Sequence, residues 1–444
     1  MSEFADRCGA YKRLLALTSG RSGFYIGLVK WRNQLLALFC LSVFLAFGVL
    51  YFRYWVIQKP FGIILFIGEG LDAQTLAAAR LHAGGADKPL AIDSLFHTAL
   101  LKNYSADSAV PDPAAAATAI ATGTKVKNGV VAVNAAGQPL PALLALARDA
   151  GRVTGLVTDG PLTAPTAASF YGHAQKKDEW ENLARQLVES GEVDVVLGRG
   201  SADFLPQAQG GRRTDGKDLL SAAREAGYDY VQSLAALDEI PRWRRARLLG
   251  LFDEMEFGTP DDAKDSQEKP TLADMVRRGI ELLQFHRGGY LLVVDATSMR
   301  RAGQQGLVEQ RLAAAVALDR AISVAAEYTG DKSVIFVCGD VADGEISKVA
   351  GADKNRPRIE ISPNAWVPAN ERNDAPAEFS VVPLSEGDSL SLSASPSREA
   401  SPPPRSEQTE VSEDILAFGK GLGADALHGT QENTALFEII RDNL

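Results

Sequence analysis

The chain has 444 residues, 46% hydrophobic and 23% charged, with a formal net charge of −10. That is the composition of a globular protein with core to spare, and the length suits two or three average domains or one large α/β domain. Residues 1–60 carry eight Lys and Arg against Glu3 and Asp6, which leaves −16 for the rest. An acidic body of this kind argues against nucleic acid as a partner. Cys8, Cys40 and Cys338 are too scattered to supply a disulfide framework or a zinc ligand cluster.

Residues 1–34 form a basic tail. Leu35 to Phe52 is then an uncharged apolar run of 18 residues, with Arg53, Tyr54 and Trp55 at its distal edge. At about 1.5 Å per residue the run nearly crosses a hydrocarbon core of roughly 30 Å, and Tyr54 to Ile57 complete it. Residues 35–57 are therefore expected to form a transmembrane signal-anchor helix. A cleaved signal peptide fits less well: the run is long for a signal core, the basic stretch before it is extended, and no small-x-small site follows. Phe39 before Cys40 also departs from a lipoprotein signal. Six of the eight basic residues precede the run, which by the positive-inside rule holds the N-terminus in the cytoplasm. The expected protein is single-pass, with its body extracytoplasmic, in a bacterium at the inner membrane and facing the periplasm.

Beyond Pro60, four apolar runs each lead to an acid: Phe61–Gly70 to Glu69, Gly155–Gly160 to Asp159, Gly289–Asp295 to Asp295, and Ser333–Asp340 to Asp340. They read as buried parallel strands. Helical stretches at Leu140–Ala150, Glu179–Ser190, Leu272–Leu283 and Val308–Tyr328 accompany them. This pattern implies βαβ units in an α/β fold, a mostly parallel central sheet flanked by helices on both faces. Such sheets place ligands beyond the carboxyl ends of their strands, and carboxylates converging there suggest a hard-cation site. The plain alternative is that each acid caps a following helix. Val110–Lys125 reads as a helix with Asp112 as N-cap, Pro113 in the first turn and Ala114 to Ala117 propagating it. Ser385–Glu413, rich in Ser, Pro and Glu, reads as an exposed flexible loop. Ile415–Gly419 then looks like a returning strand and Asn433–Asn443 a closing helix, so residues 61–444 form one domain.

Several ordered segments resemble the alkaline phosphatase family: Ile64-Leu-Phe-Ile-Gly-Glu-Gly70, Val110-Pro-Asp112 with Ala117-Thr-Ala-Ile-Ala-Thr-Gly123, Asn128-Gly-Val130, Phe170-Tyr-Gly-His173, Asp194-Val-Val-Leu-Gly198, Leu249-Gly-Leu-Phe252, Pro270-Thr-Leu-Ala-Asp-Met275 and Gly429-Thr-Gln-Glu-Asn-Thr434. The resemblance spans residue 61 to the C-terminus. It implies an extracytoplasmic fold whose active members hydrolyse phosphomonoesters with a serine nucleophile, two zincs and one magnesium.

The catalytic positions depart from that pattern. Pro113 stands where the resemblance places the nucleophilic serine, and proline has no hydroxyl to carry a phosphoryl group. At the implied first zinc site, Arg300 replaces a carboxylate, Gln304 an imidazole, and the nearest match to a third ligand is Gln408; an arginine there repels zinc. At the second, Asp340 persists but Val341 replaces a histidine, and Glu69 takes the place of a shorter acid. Lys177, with Lys176 beside it, falls at the phosphate-gripping arginine, a point charge where a bidentate fork is wanted. The magnesium site is best kept: Glu69, Thr166 and Asp295 match its ligands, while Ala164 stands where the family has His or Asp. Those oxygens suit weakly bound Mg²⁺ or Ca²⁺; the alternative is that they hydrogen-bond Arg300, Arg301 or loop amides.

The leading expectation is a membrane-anchored pseudoenzyme, an alkaline phosphatase fold kept for binding or assembly, with no cofactor or weakly bound Mg²⁺ and without zinc. Its partners are the membrane and either another protein or a second copy of itself. The alternatives are a residual metal-dependent phosphomonoesterase or phosphodiesterase using Glu69, Asp295 and Asp340, and an anion receptor using Arg300, Arg301, Lys176 and Lys177.

Overall fold

The computed structural model describes residues 31–51, 59–243, 247–252, 269–330, 332–341 and 413–444. Two compact units divide at Pro60 and Phe61. The first contains helix α1 (Trp31–Tyr51), with a mean hydropathy of 2.2, long and apolar enough to cross a membrane. The distal part of the expected anchor, residues 52–57, lies outside the described residues, as does the Ser/Pro-rich loop up to residue 412.

The second unit is an α/β body around a ten-stranded sheet. Its strands are β1 (Gly62–Gly68), β2 (His97–Lys102), β3 (Val153–Pro161), β4 (Val195–Arg199), β5 (Asp229–Val231), β6 (Leu248–Phe252), β7 (Tyr290–Ala296), β8 (Ser333–Gly339), β9 (Ile415–Gly421) and β10 (Gly429–Glu432). They lie in the order β10-β2-β9-β8-β1-β7-β3-β4-β6-β5. Only the returning strand β9 runs against its neighbours, β8 and β2. The four runs that end in acids become β1, β3, β7 and β8, consecutive in space as β8-β1-β7-β3. Strands β1, β7 and β8 are buried along their whole length, which is why they read as unbroken apolar runs.

Successive side chains on a strand point to opposite faces, and β1 uses both. Ile63, Leu65 and Ile67 pack on one face with residues of α3 (Pro113–Thr122), α4 (Leu143–Asp149), α6 (Trp180–Ser190), α7 (Leu219–Glu225) and α12 (Ala435–Asp442). Ile64 and Phe66 pack on the other with α2 (Ala73–Ala83), α9 (Leu272–Leu283) and α11 (Val308–Tyr328). Each large aliphatic side chain buried this way contributes about 1.5–3 kcal/mol. Three short helices complete the body: α5 (Pro165–Ala168), α8 (Leu234–Glu239) and α10 (Ser298–Gln304). The bounds of α9 and α11 are those the sequence pattern gives, and both pack against the sheet. The short edge strands β5 and β10 carry too few apolar residues to be read beforehand.

A buried ion pair ties α9 to α8. Arg278 Nη1 lies 2.5 Å from Glu281 Oε2, and Nη2 donates to the carbonyls of Leu237 at 2.9 Å and Ile240 at 2.7 Å. Both side chains are 1% exposed. Removing one member strands the other's charge. Glu281→Ala is expected to lower unfolding free energy by about 3 kcal/mol in chemical denaturation, and Glu281→Leu with Arg278→Met to recover most of it.

Candidate active site

The register of the central strands sets four carboxylates side by side. Gly68 pairs with Ala296 of β7 and Gly339 of β8, and Thr158 of β3 pairs with Asp295. Glu69, Asp340, Asp295 and Asp159 therefore stand at one level, at the carboxyl ends of their strands. Asp295 and Asp340 are wholly buried and Glu69 nearly so.

Each acid is held differently. Asp295 Oδ2 accepts from the Thr158 hydroxyl at 3.0 Å. Asp340 Oδ1 accepts from the amides of Val341 at 2.6 Å and Gly70 at 3.3 Å, and its backbone carbonyl accepts from Asn103. Asp159 Oδ1 accepts from the amides of Thr297 at 2.8 Å and Ser298 at 3.1 Å. Asp159 thus caps α10 from a neighbouring strand, and not the next helix in sequence as the capping alternative has it. Arg311 of α11 braces the turn behind Glu69: its Nη2 donates to the Gly70 carbonyl and the Thr75 hydroxyl and lies 3.8 Å from Asp72. Nothing in the pattern of an alanine-rich helix marks Arg311 for that work, nor Asn103 for its bond to Asp340.

Electrostatics follow from burial. Asp295 is pushed well above the usual carboxylate range, first by burial and then by the charges of Glu69, Asp159 and Asp340. Asp340 is pushed well above it by burial and Glu69, with Arg300 opposing. Glu69 is raised by burial, while the nearby Thr166 hydroxyl and then Arg300 pull it down. Asp159 is also raised by burial, against the hydrogen bonds of Ser298 and Thr297. Arg300 Nη1 is 3.9 Å from Glu69 Oε2. Glu69 is thus one acid that Arg300 meets, and the charge of Arg300 also bears on Asp340.

Three buried oxygens in the cluster have no hydrogen-bond partner: Thr166 Oγ1, Asp295 Oδ1 and Asp340 Oδ2. Of the alternative's contacts, Asp340 meets the Gly70 and Val341 amides and Glu69 faces Arg300, while Thr166 Oγ1 has no hydrogen-bond partner. As placed, no group of three His, Cys, Asp or Glu among the described residues converges closely enough to hold a metal. The donors at hand are all oxygens, which fit a hard cation such as Mg²⁺. They do not fit zinc, which takes imidazole or thiolate in such sites. The histidines lie elsewhere: His173 Nδ1 meets the Ala132 carbonyl, His428 the Asp425 carbonyl, His82 approaches Glu309, His286 takes the Gly288 amide and His97 stacks near Phe96.

The other singled-out positions fall as follows. Pro113 is the first residue of α3, and Asp112 caps it: Oδ1 accepts from Ala115 N at 2.9 Å, while Oδ2 accepts from Gly129 N at 2.9 Å and Lys177 Nζ at 3.0 Å. Lys177 is thus brought to the start of α3, whereas the Lys176 amide turns to Glu179. Ala164 precedes α5, Val341 is buried against Asp340, and Gln304 is exposed at the end of α10. Arg301 is half-buried on α10, and Gln408 lies outside the described residues.

A sheet covered on both faces, with polar groups gathered beyond its carboxyl ends, is the architecture of open α/β proteins that bind or act at that edge. The family model for alkaline phosphatases matches residues 62–444, and the chain belongs to the alkaline phosphatase family. It is similar to the tissue-nonspecific alkaline phosphatase isozyme of Gallus gallus, 28% identical over 437 residues that cover 83% of this chain and 82% of the relative. Alkaline phosphatase H of Pseudomonas aeruginosa is 29% identical over 433 residues, covering 86% and 85%. The crystal structure of Thermus thermophilus alkaline phosphatase superposes with a TM-score of 0.65 at 23% identity, over 87% of this chain and 92% of that one, and shares the fold.

A carboxyl whose folded pKa is raised contributes stability that is complete below its unfolded value, about 4, and is lost as pH rises through the folded value. The cluster is therefore expected to lower the melting temperature as pH climbs above that range in the presence of chelator. Asp340→Asn should flatten the profile relative to the parent, which isolates the cluster from the many surface acids whose pKa is depressed. Parallel profiles for the two proteins would remove the cluster as the cause.

Proposed function

We propose that the protein is a membrane-anchored alkaline phosphatase homologue that has lost catalysis and keeps the fold for binding or assembly outside the cytoplasm. The observation that carries this is Pro113 at the first position of α3. Phosphoryl transfer through an enzyme intermediate needs a nucleophilic side chain, and proline offers none. A buried neighbouring hydroxyl does not replace it: Ser169 Oγ is bonded to the Pro165 carbonyl and lies against Thr118 and the Ala114 carbonyl. The relatives named above are phosphatases, so the loss is a property argued for this chain and not for its family.

A second reading is favoured by the orphaned oxygens of Thr166, Asp295 and Asp340. With Glu69 they supply a donor set for Mg²⁺, whose charge would offset the carboxylates and polarise a bound phosphoryl oxygen. This chain's own contribution would be to position and desolvate the ion, as a residual metal-dependent phosphoric ester hydrolase. The anion-receptor reading is weaker, since Lys177 already faces Asp112 and Arg300 faces Glu69. A protein partner or a second copy of the chain is the remaining proposed ligand of the body.

The full chain in detergent is expected to release no product from an aryl phosphate at alkaline pH with zinc and magnesium supplied. Pro113→Ser alone should not restore turnover, because the imidazoles are still missing. Turnover above a metal-free blank that disappears with Glu69→Ala would establish the second reading instead.

The anchoring half of the proposal is supported by α1 and the basic tail before it. A reporter fused after Leu444 that is active only outside the cytoplasm, on a chain retaining its N-terminal tail, is the expected result. Mature protein beginning beyond α1 would mean a cleaved signal.

A further inference from the structure

Helix α10 delivers a positive charge to the acidic edge of the sheet from a fixed position. It begins just after β7, and the Glu69 amide donates to the Ala296 carbonyl at 3.0 Å, so its first turn starts beside Glu69. Several contacts hold that turn. The Thr297 and Ser298 amides donate to Asp159. Met299 is wholly buried and packs on Gly68 of β1, where an added Cβ would come within 3.0 Å of its methyl carbon and 2.9 Å of Leu318. At the far end of the helix Gly303 lies against Arg311, and a Cβ there would meet the Arg311 Nη1 at 3.1 Å. Close packing of this kind has few alternative arrangements, so the backbone that carries Arg300 is held firmly between β1 and α11.

Arg300 follows Met299 and is drawn inward with it. Its side chain is 17% exposed, and Nη1 lies 3.9 Å from Glu69 Oε2. Its charge favours the ionised form of Glu69 and of Asp340, against the burial that raises both. An arginine this far from water gives up hydration that a surface arginine keeps, and the loss is offset only where the guanidinium meets buried negative charge. Glu69, Asp295 and Asp340 supply that charge at the end of β1, β7 and β8.

A divalent cation held among oxygens compensates buried acids in the same way. It does so reversibly, and folding then depends on metal concentration. A guanidinium carried by the chain is present at every metal concentration. We propose that Arg300 is the resident counter-cation of the acid cluster, supplying from within the chain the charge that a bound metal ion would supply, so that the body folds without metal and acquires a divalent-cation requirement only when Arg300 is removed. This rests on the proposed loss of catalysis and gives the retained acids a structural role that needs no ion. The unpartnered oxygens of Thr166, Asp295 and Asp340, with Glu69, are the donors an ion meets once the guanidinium is gone.

The test follows thermal unfolding of the full chain in detergent by tryptophan fluorescence, with EDTA or with Mg²⁺, at about pH 8, where ordinary carboxylates are ionised. The parent is expected to melt at the same temperature in EDTA as in plain buffer and to carry no stoichiometric metal after purification. Arg300→Met keeps an apolar stem and removes the charge. It is expected to melt several degrees lower in EDTA and to regain most of the loss with Mg²⁺, the gain rising with Mg²⁺ concentration as mass action requires. Adding Glu69→Gln to Arg300→Met should abolish the Mg²⁺ response, and Arg300→Lys, which keeps a charge, should be as indifferent to chelator as the parent. A parent that melts lower on chelation, or that holds stoichiometric metal, overturns the proposal. So does an Arg300→Met protein that Mg²⁺ stabilises no more than the parent, or one that fails to fold with Mg²⁺ present while Arg300→Lys folds. Aryl phosphate turnover is read on the same samples: turnover in the parent defeats the loss of catalysis, whereas chelator-sensitive melting without turnover defeats the counter-cation alone.

Discussion

Four carboxylates at neighbouring strand ends, three of them buried and Asp159 partly so, and within reach of one another's fields, are the constraint around which the acidic edge is built. An ionised carboxylate without water is costly, and several together are more so. The body answers with hydroxyls, amides and one guanidinium: Thr158 for Asp295, the Gly70 and Val341 amides for Asp340, the Thr297 and Ser298 amides for Asp159, and Arg300 near Glu69. These partners do not neutralise the cluster. Arg300 beside Glu69 and the field of Arg199 at Asp159 offset part of the charge, while burial raises the pKa of all four acids.

Arg300 differs from a metal ion in this role. Its charge is covalently tethered and cannot dissociate from the site, and its planar fork reaches few ligands at once. At 3.9 Å from Glu69 it lowers the energy of that acid's charged form without closing a bidentate bond. One oxygen each of Asp295 and Asp340 remains without a hydrogen-bond partner. An oxygen-lined pocket for a hard cation and an arginine-relieved cluster are therefore compatible, whereas an arginine and a zinc at the same point are not.

Much of this was legible in the sequence where one physical signal dominated. Strands covered on both faces read as apolar runs, and β1, β3, β7 and β8 were found that way together with the acids that end them. Helices α9 and α11 declared themselves by period, and α3 by Asp112, Pro113 and the alanines that follow. The rest depended on contacts made across the chain. That Asp159 caps α10 is set by the adjacency of β3 and β7, not by anything near Asp159 in sequence. Arg311 and Asn103 serve the turns beside Glu69 and Asp340 across more than 230 residues. The edge strands β5 and β10 are too short to show a period.

The start of α3 shows how this helix is capped and begun with proline at its first position. Asp112 is the structural half of that turn: one oxygen caps Ala115, the other holds Gly129 and Lys177, and its amide is fixed by Asn128. A cap of this kind contributes about 1 kcal/mol to the helix and pins the loop at Asn128 as well. The residue after it supplies no bond that the fold uses, because the first amides of a helix have no partner within it. Proline, lacking that amide and fixed near the helical φ, suits the position better than a serine would on stability alone. The fold therefore depends on the carboxylate of Asp112 and makes no use of a hydroxyl at the position that follows it.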